Sequence, residues 1–264
     1  MKLVSIILPT YNEAGNIIPL ITEIKAVVKQ HLLEIIVVDD NSPDGTSEQV
    51  LQYKTKSKEN NVRLITRYEN RGLTNSLKCG IRRAKGDVVV WMDCDFSHPP
   101  KLINKLLDKI EKGFDIAVAS RFINPFGKLR INAEQGRSIK GGGFKGSKEE
   151  NPLAILLSRL MNYSIQFMLG GEFKDYTSGF IAARKKVFKK IKLRGDYGEY
   201  FIDLIYKALA HKFKIVEIPF VNLPRKSGES KTGSNLYEYI MRGRKYIALS
   251  FQLLVEKHIL GKIP

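Results

Sequence analysis

The sequence predicts an α/β protein built on a mostly parallel sheet with helices on both faces. Three observations predict it. Short apolar runs alternate with segments of helical period from Val4 to Arg121. Each run ends in polar residues: Pro9 to Glu13, Asp39-Asp40, Asp93 to Asp95 and Ser120-Arg121. In such sheets ligands bind beyond the carboxyl ends of the strands, so these clusters are expected on one functional rim. Finally, no GxGxxG follows the first run and no GxxxxGKS or GxxxxGKT occurs, which excludes an ordinary dinucleotide-binding domain and a P-loop NTPase.

Taken in order, Val4 to Leu8 is the first buried strand. Asn12 is a plausible N-cap for a helix whose apolar positions run from Ile17 to Val28. Glu34 to Val38 is the second strand. Ser42 and Pro43 have the N-cap and N1 pattern of a helix reaching about Lys56. Val62 to Thr66 is a third strand, and Asn70-Arg71-Gly72 turns the chain into a helix over Leu73 to Ala84. The fourth strand is the run Val88 to Met92. A helix over Pro100 to Ile110 and a strand over Asp115 to Ala119 follow. Leu153 to Leu169 is helical, Phe180 to Ala183 a strand and Glu199 to Ala210 a helix. Lys214 to Ile218 is an edge-type strand before Pro219, and Asn235 to Leu260 is one long helix or two shorter ones.

The chain has 264 residues, 43% of them apolar, enough for a globular core. Lys and Arg number 44 against 27 acids, a formal charge of +17, which points to polyanionic partners: nucleic acid, anionic lipid headgroups or phosphorylated substrates. Cys79 and Cys94 have no metal-ligand spacing and read as reduced cysteines of a cytoplasmic protein. The first apolar run is too short for a signal peptide, and no stretch reaches the ~18 apolar residues of a membrane span.

The run VVVWMDCD, Val88 to Asp95, carries the most chemistry. Residues two apart on a strand share a face, so extended backbone aims Asp93 and Asp95 the same way. Two such carboxylates suit Mg2+ or Mn2+, which take oxygen ligands from carboxylates and substrate phosphates. The plainer alternative is that both acids end a strand and cap the helix beginning at Pro99-Pro100. Residues 122–152 break the rhythm, with six glycines, six basic residues and three glutamates. They read as a long basic loop, either a lid over the site or a disordered insertion. Arg184 to Arg194 holds seven basic residues in eleven, a solvated helix surface or a patch for anionic lipid. Arg225 to Lys231 (RKSGESK) has the composition of an oxyanion-binding loop. Arg242, Arg244 and Lys245 precede the apolar Tyr246 to Val255, which suits a membrane interface or packing on the core.

The ordered set Pro9-Thr10-Tyr11-Asn12-Glu13, Val37 to Thr46, Gly86-Asp87, Met92 to Asp95, His98-Pro99-Pro100, Ser120-Arg121, Thr177 to Phe180 and Arg225-x-x-Gly228-x-Ser230-Lys231 resembles the family-2 glycosyltransferases of the GT-A fold. Within them it is most similar to the polyprenyl-phosphate glycosyltransferases, the group of the dolichol-phosphate mannose synthases. The resemblance implies a GT-A Rossmann-like domain over 1–232 and C-terminal amphipathic, membrane-proximal helices over 233–264. It implies inverting transfer of a sugar, mannose from GDP-mannose first and glucose from UDP-glucose as the alternative, to the phosphate of dolichyl or another polyprenyl phosphate. Pro9, Tyr11, Glu13, Asp39, Asp40 and Asp93 would line the nucleotide. Asp93 and Asp95 would hold Mg2+ or Mn2+, with Ser97 standing where the mannose synthases often have a glutamine ligand. Arg121, Ser158, Arg225 and Lys231 would receive phosphate, and Asp95, Arg121 and Arg225 would carry the catalytic load. An arginine often found four residues before the serine is Ala154 here, so Arg159 or a lysine of the basic loop would replace it. The expected place of work is the cytoplasmic face of an anionic membrane, as a peripheral protein.

Two other readings stay open at this level. A transferase acting on a sugar hydroxyl of a polysaccharide would need a base, for which Asp196, Glu199 and Asp203 are the nearby candidates. A non-enzymatic nucleic-acid-binding protein would explain the charge, but no nucleic-acid signature is present.

Overall fold

The structure is a computed structural model, and it describes residues 2–57, 60–123, 152–223, 225–226, 236–259 and 261. Fifteen elements follow in chain order. They are β1 (Leu3–Thr10), α1 (Ala14–Val27), β2 (Leu32–Asp39), α2 (Thr46–Ser57), β3 (Val62–Thr66), α3 (Leu73–Arg83), β4 (Val88–Trp91) and α4 (Leu102–Glu111). After them come β5 (Ile116–Ser120), α5 (Pro152–Leu169), β6 (Ile181–Arg184), α6 (Val187–Lys190), α7 (Glu199–Ala210), β7 (Ile215–Pro219) and α8 (Leu236–His258).

The strands form one seven-stranded sheet in the order β3-β2-β1-β4-β6-β5-β7. Only β6 runs against the rest, pairing antiparallel with both β4 and β5. The other six point one way, so their carboxyl ends share a rim, as the alternation of strands and helices predicts. Alternate residues of each strand face opposite layers. Ile6, Leu8, Val37 and Val90 pack with Leu20 and Ile24 of α1 and with Ile103 and Leu106 of α4. Ile7, Val38, Val89 and Trp91 pack with Leu77 of α3, Ile165 of α5, Phe201 of α7 and Leu253 of α8. The continuous apolar character of the strands is thus the consequence of burial on both faces. The edge position expected for Lys214 to Ile218 is that of β7.

Several local expectations need correction. Asn12 does not cap α1: it sits at φ 55°, and the Ala14 N–H is taken by Asp44 Oδ2 at 2.9 Å. Ser42 and Pro43 do not open α2 either. That helix starts at Thr46, whose N–H and Oγ1 donate to Asp44 Oδ1 at 3.0 and 2.5 Å. One exposed carboxylate therefore serves the starts of two helices. Burial works against its ionisation, but these hydrogen bonds from Thr46 and Ala14 outweigh it and hold the Asp44 carboxyl below its usual range. Of the two expectations for the C-terminal segment, the single helix holds: α8 runs unbroken over Leu236–His258, and Leu253 places it in the core.

The reversed β6 also sets where the basic run begins. Arg184 pairs with Val88, at the rim opposite Asp93. Its guanidinium donates to the carbonyls of Phe114 and Ile110, closing the end of α4. Lys185 donates to the Ala84 carbonyl after α3, and Lys186 pairs with Asp115 at 2.6 Å. Arg194 bridges Asp203 of α7 and Glu256 of α8 at 2.8 and 2.6 Å. Those four residues are engaged with the fold, while Lys189, Lys190 and Lys192 of the run are exposed, as a solvated surface would have them. The basic loop falls almost wholly outside the described residues.

Candidate active site

The rim is built from the ends of β1, β2, β4 and β5. On the β1–β2 side, Thr10 lies in register with Asp39. Asp39 is fully buried, and all four of its acceptor positions are filled. Oδ1 receives Thr10 Oγ1 at 3.0 Å and Ser42 Oγ at 2.5 Å, while Oδ2 receives the Ser42 N–H at 2.9 Å and Ser47 Oγ at 2.8 Å. Asp40 is buried beside it. It pairs with Arg67 at 2.8 Å and accepts from Ser76 Oγ at 2.8 Å and from the Gly72 N–H at 2.6 Å. Gly72 reaches it from a backbone at φ 119°, a conformation that favours glycine. These acids therefore fix the loops around them.

Around them stand the other expected nucleotide residues. Tyr11 is 41% exposed at the rim. Glu13 is buried, accepts the Asn16 amide at 2.8 Å, and its own N–H donates to Thr46 Oγ1 at 3.0 Å. The Pro9 carbonyl receives the Cys94 thiol at 3.4 Å, which ties β1 to the turn after β4.

That turn is the corner the sequence singles out. Asp93 keeps 51% of its side-chain surface open, whereas Asp95 keeps 3%. Loss of solvation raises the Asp93 carboxyl above its usual range, and the Asp95 charge adds to this; His98, Arg225 and Arg121 oppose it. The open half of the side chain limits that loss of solvation. Asp95 Oδ1 accepts the Ser97 N–H at 2.9 Å, and Oδ2 pairs with Arg225 at 2.8 Å. Between them Phe96 is forced to φ 67°, costly for a bulky residue and typical of a functional turn. Leu223, Arg225 and Lys226 lie along this turn. Leu223 N–H donates to the Ser97 carbonyl and Lys226 N–H to the Asp95 carbonyl, both at 3.0 Å, and Lys226 Nζ stands 4.7 Å over the Phe96 ring.

His98 is a site residue to which sequence reasoning gave no role. It is buried, stacked on Phe180 at 4.9 Å, and edge-on to Phe220 at 5.7 Å. Its Nδ1 accepts the Asp93 N–H at 3.0 Å, which leaves the proton on Nε2, 4.0 Å from Asp93 Oδ2. Burial pushes its pKa down against the pull of Asp93 and Asp95, so the ring stays neutral. Among the described residues no group of three His, Cys, Asp or Glu side chains is arranged to hold a metal. Asp93 and Asp95 offer hard oxygens suited to a divalent cation that draws its other ligands from phosphate and water. Ser97 is buried beside them.

Opposite this corner lies a second polar group. Arg121 grips Asp175 with Nε and Nη2 at 2.9 and 2.7 Å, and its N–H adds a third bond at 2.8 Å. Nη2 also donates to Thr177 Oγ1 at 2.7 Å, which in turn accepts Asn162 Nδ2 at 2.9 Å. Asn162 reaches back to the Ser158 carbonyl one turn earlier in α5, so Ser158 lies on the helix side nearest Arg121. Asp175 and Asn162 were missed in the sequence. The signal available was an aspartate two residues before the quoted Thr177. Lys231 lies outside the described residues.

Two of the three acids that a sugar hydroxyl could use as a base are otherwise engaged. Asp203 is fully buried between Lys207 at 2.8 Å and Arg194 at 2.8 Å, and Glu199 is buried and accepts the Tyr197 N–H at 3.0 Å. Asp196 is 88% exposed.

The Glycosyl transferase family 2 model matches residues 5–192, the span that supplies every strand of this rim. The chain belongs to glycosyl transferase family 2. Among relatives of this family-2 chain is a dolichol-phosphate mannosyltransferase of Pyrococcus furiosus, 34% identical over 238 residues, 90% of this chain and 61% of that protein. The chain thus spans about three fifths of that relative's length. A polyprenol monophosphomannose synthase of Mycolicibacterium smegmatis is 32% identical over 245 residues, 90% of this chain and 84% of the relative. The fold is that of GT-A glycosyltransferases. A glucosyl-3-phosphoglycerate synthase of Mycobacterium tuberculosis, solved with Mn2+, uridine diphosphate and phosphoglyceric acid, superposes with TM-score 0.67 at 19% identity, covering 98% of this chain and 79% of that one. The same enzyme with Mg2+ and uridine diphosphate gives TM-score 0.66 and 19% identity over 96% and 78%.

Proposed function

We propose that this family-2 glycosyltransferase moves a hexosyl group from a nucleotide sugar to the phosphate of a polyprenyl phosphate, with inversion at the anomeric carbon. The sugar is mannose and the donor GDP-mannose in this reading, which the names of the two relatives support. The observation that carries it is the polar group at the end of β5. Arg121, 28% exposed, is fixed there by Asp175 and Thr177, while Glu199 and Asp203 are buried in other contacts. A phosphate acceptor is anionic at neutral pH and needs no base, only positive groups to receive it.

In the reaction the acceptor phosphate oxygen attacks the anomeric carbon. The bond from that carbon to the donor diphosphate breaks, and nucleoside diphosphate leaves with the electron pair. Asp93 and Asp95 would hold a divalent cation, which when bound supplies positive charge to the leaving diphosphate. Bound Mn2+ and Mg2+ in the structural neighbours support that assignment. The chain's own part is placement. Asp39 and Asp40 stiffen the loops of the nucleotide wall, and Tyr11 and Glu13 border it. His98 fixes the backbone of Asp93, and Arg121 with Ser158 receives the acceptor phosphate.

The domain reading follows: residues 1–232 are the transferase, and 233–264 the membrane-proximal segment. Its helix α8 packs inward through Leu253 and carries Arg244, Ile247 and Phe251 outward. We place the protein at the cytoplasmic face of an anionic membrane. No helix among the described residues is long and apolar enough to cross one.

The test is transfer of radiolabel from GDP-mannose and, in parallel, UDP-glucose to dolichyl phosphate with Mg2+ or Mn2+. A lipid-linked product of inverted configuration is expected with GDP-mannose. Product of retained configuration, or label reaching only sugar hydroxyls, overturns the proposal.

A further inference from the structure

The Asp95–Arg225 pair has no place in a simple picture of a cation site. Asp95 is 3% exposed, and a lone buried carboxylate is costly. Arg225 Nη1, 2.8 Å from Oδ2, is its counter-charge, and a guanidinium does not give up its proton. The other oxygen, Oδ1, already accepts the Ser97 N–H at 2.9 Å. The backbone of the arginine's segment is held independently, by the Leu223 and Lys226 amides on the Ser97 and Asp95 carbonyls. The guanidinium can therefore leave Asp95 while Leu223 and Lys226 stay on the turn.

We infer that Arg225 is the resident cation of Asp95 and that a divalent metal takes its place. This rests on the reading that Asp93 and Asp95 receive the metal. A dication at Asp95 repels the guanidinium and satisfies the carboxylate in its stead. Arg225, 27% exposed, then turns to the nearest phosphate oxygens. Metal loading and phosphate recognition become one coupled event: metal frees the arginine, and a phosphate that accepts the arginine favours metal. By reciprocity each ligand strengthens the other to the same degree.

The test is Mn2+ binding to the full chain without nucleotide or lipid, read from the electron paramagnetic resonance signal of free Mn2+. Arg225→Gln should bind Mn2+ about ten-fold more tightly than the native chain, within the usual range of such couplings. Arg225→Lys, which keeps the charge but loses the fork, should fall between the two. Lys226→Gln removes the same charge one residue away without touching a carboxylate oxygen, and should change affinity by less than about two-fold. If Arg225→Gln fails to fold, the order of native chain and Arg225→Lys still decides. Equal tightening in the Arg225 and Lys226 variants overturns the inference in favour of diffuse charge. So does unchanged or weaker Mn2+ binding on loss of Arg225. The measurement needs neither sugar nor lipid, so its failure leaves the acceptor assignment standing.

Discussion

Two pairs of aspartates end two parallel strands of one sheet, and the fold treats them in opposite ways. Asp39 and Asp40 are enclosed by Thr10, Ser42, Ser47, Ser76, Gly72 and Arg67. At the second pair, Asp93 is half open, Asp95 rests on an arginine, and the residue between that pair and Ser97 is a phenylalanine in left-handed backbone. Full satisfaction marks an acid that supports structure, while partial satisfaction beside local strain marks one that awaits a ligand. The contrast can be broken or sharpened by experiment.

The largest effect is expected at Asp93. Asp93→Ala should lower transfer by about 10^3-fold, on the scale of losing one preorganised charge-stabilising group. Its thermal midpoint should move by less than about 3 °C. A folded, fully active Asp93→Ala would end the distinction. Asp40→Ala should do the reverse and cost about 3–5 kcal/mol in chemical denaturation, because it strands Arg67, itself only 10% exposed. Asp39→Asn comes next, at about 1–3 kcal/mol, since an amide NH2 would face donors where a carboxylate oxygen accepts. Urea denaturation of both variants ranks them.

The smallest effect is expected at the opposite rim, where Glu34 repeats the enclosed pattern. Burial opposes its ionisation, but Ser5, the Lys85 and Gly86 amides and Arg63 outweigh it and lower its pKa from the usual 4.5. A carboxyl depressed by folding contributes stability that is full above its unfolded pKa and lost as pH falls through its folded one. The native chain should therefore lose stability below about pH 4.5 more steeply than Glu34→Gln. Parallel acid titrations followed by circular dichroism would check this.

Much of this was legible in the sequence because apolar runs bounded by polar clusters report burial directly. Val62 to Thr66 and Glu199 to Ala210 were read to the residue. The caps were not, because Asp44 reaches Ala14 across thirty positions of chain, and local spacing cannot register that. The direction of β6 was equally hidden, and with it the side to which Arg184 and Lys185 belong. In the site, Asp93 and Asp95 announce themselves by spacing. Of the partners that set their state, His98 stands only five residues from Asp93, whereas the pairing of Arg225 with Asp95 is found only once the turn after β4 and the segment after β7 lie side by side.

Trp91 is the only tryptophan of the chain and ends β4, two positions before Asp93. It is 1% exposed, donates its indole N–H to Tyr200 at 3.1 Å, and touches Phe188 with ring centroids 5.8 Å apart. The protein thereby carries its own optical reporter at the base of the Asp93–Asp95 turn. Excited selectively, that single chromophore would let donor and metal occupancy be followed in real time, with no label added and no competing emission from elsewhere in the molecule.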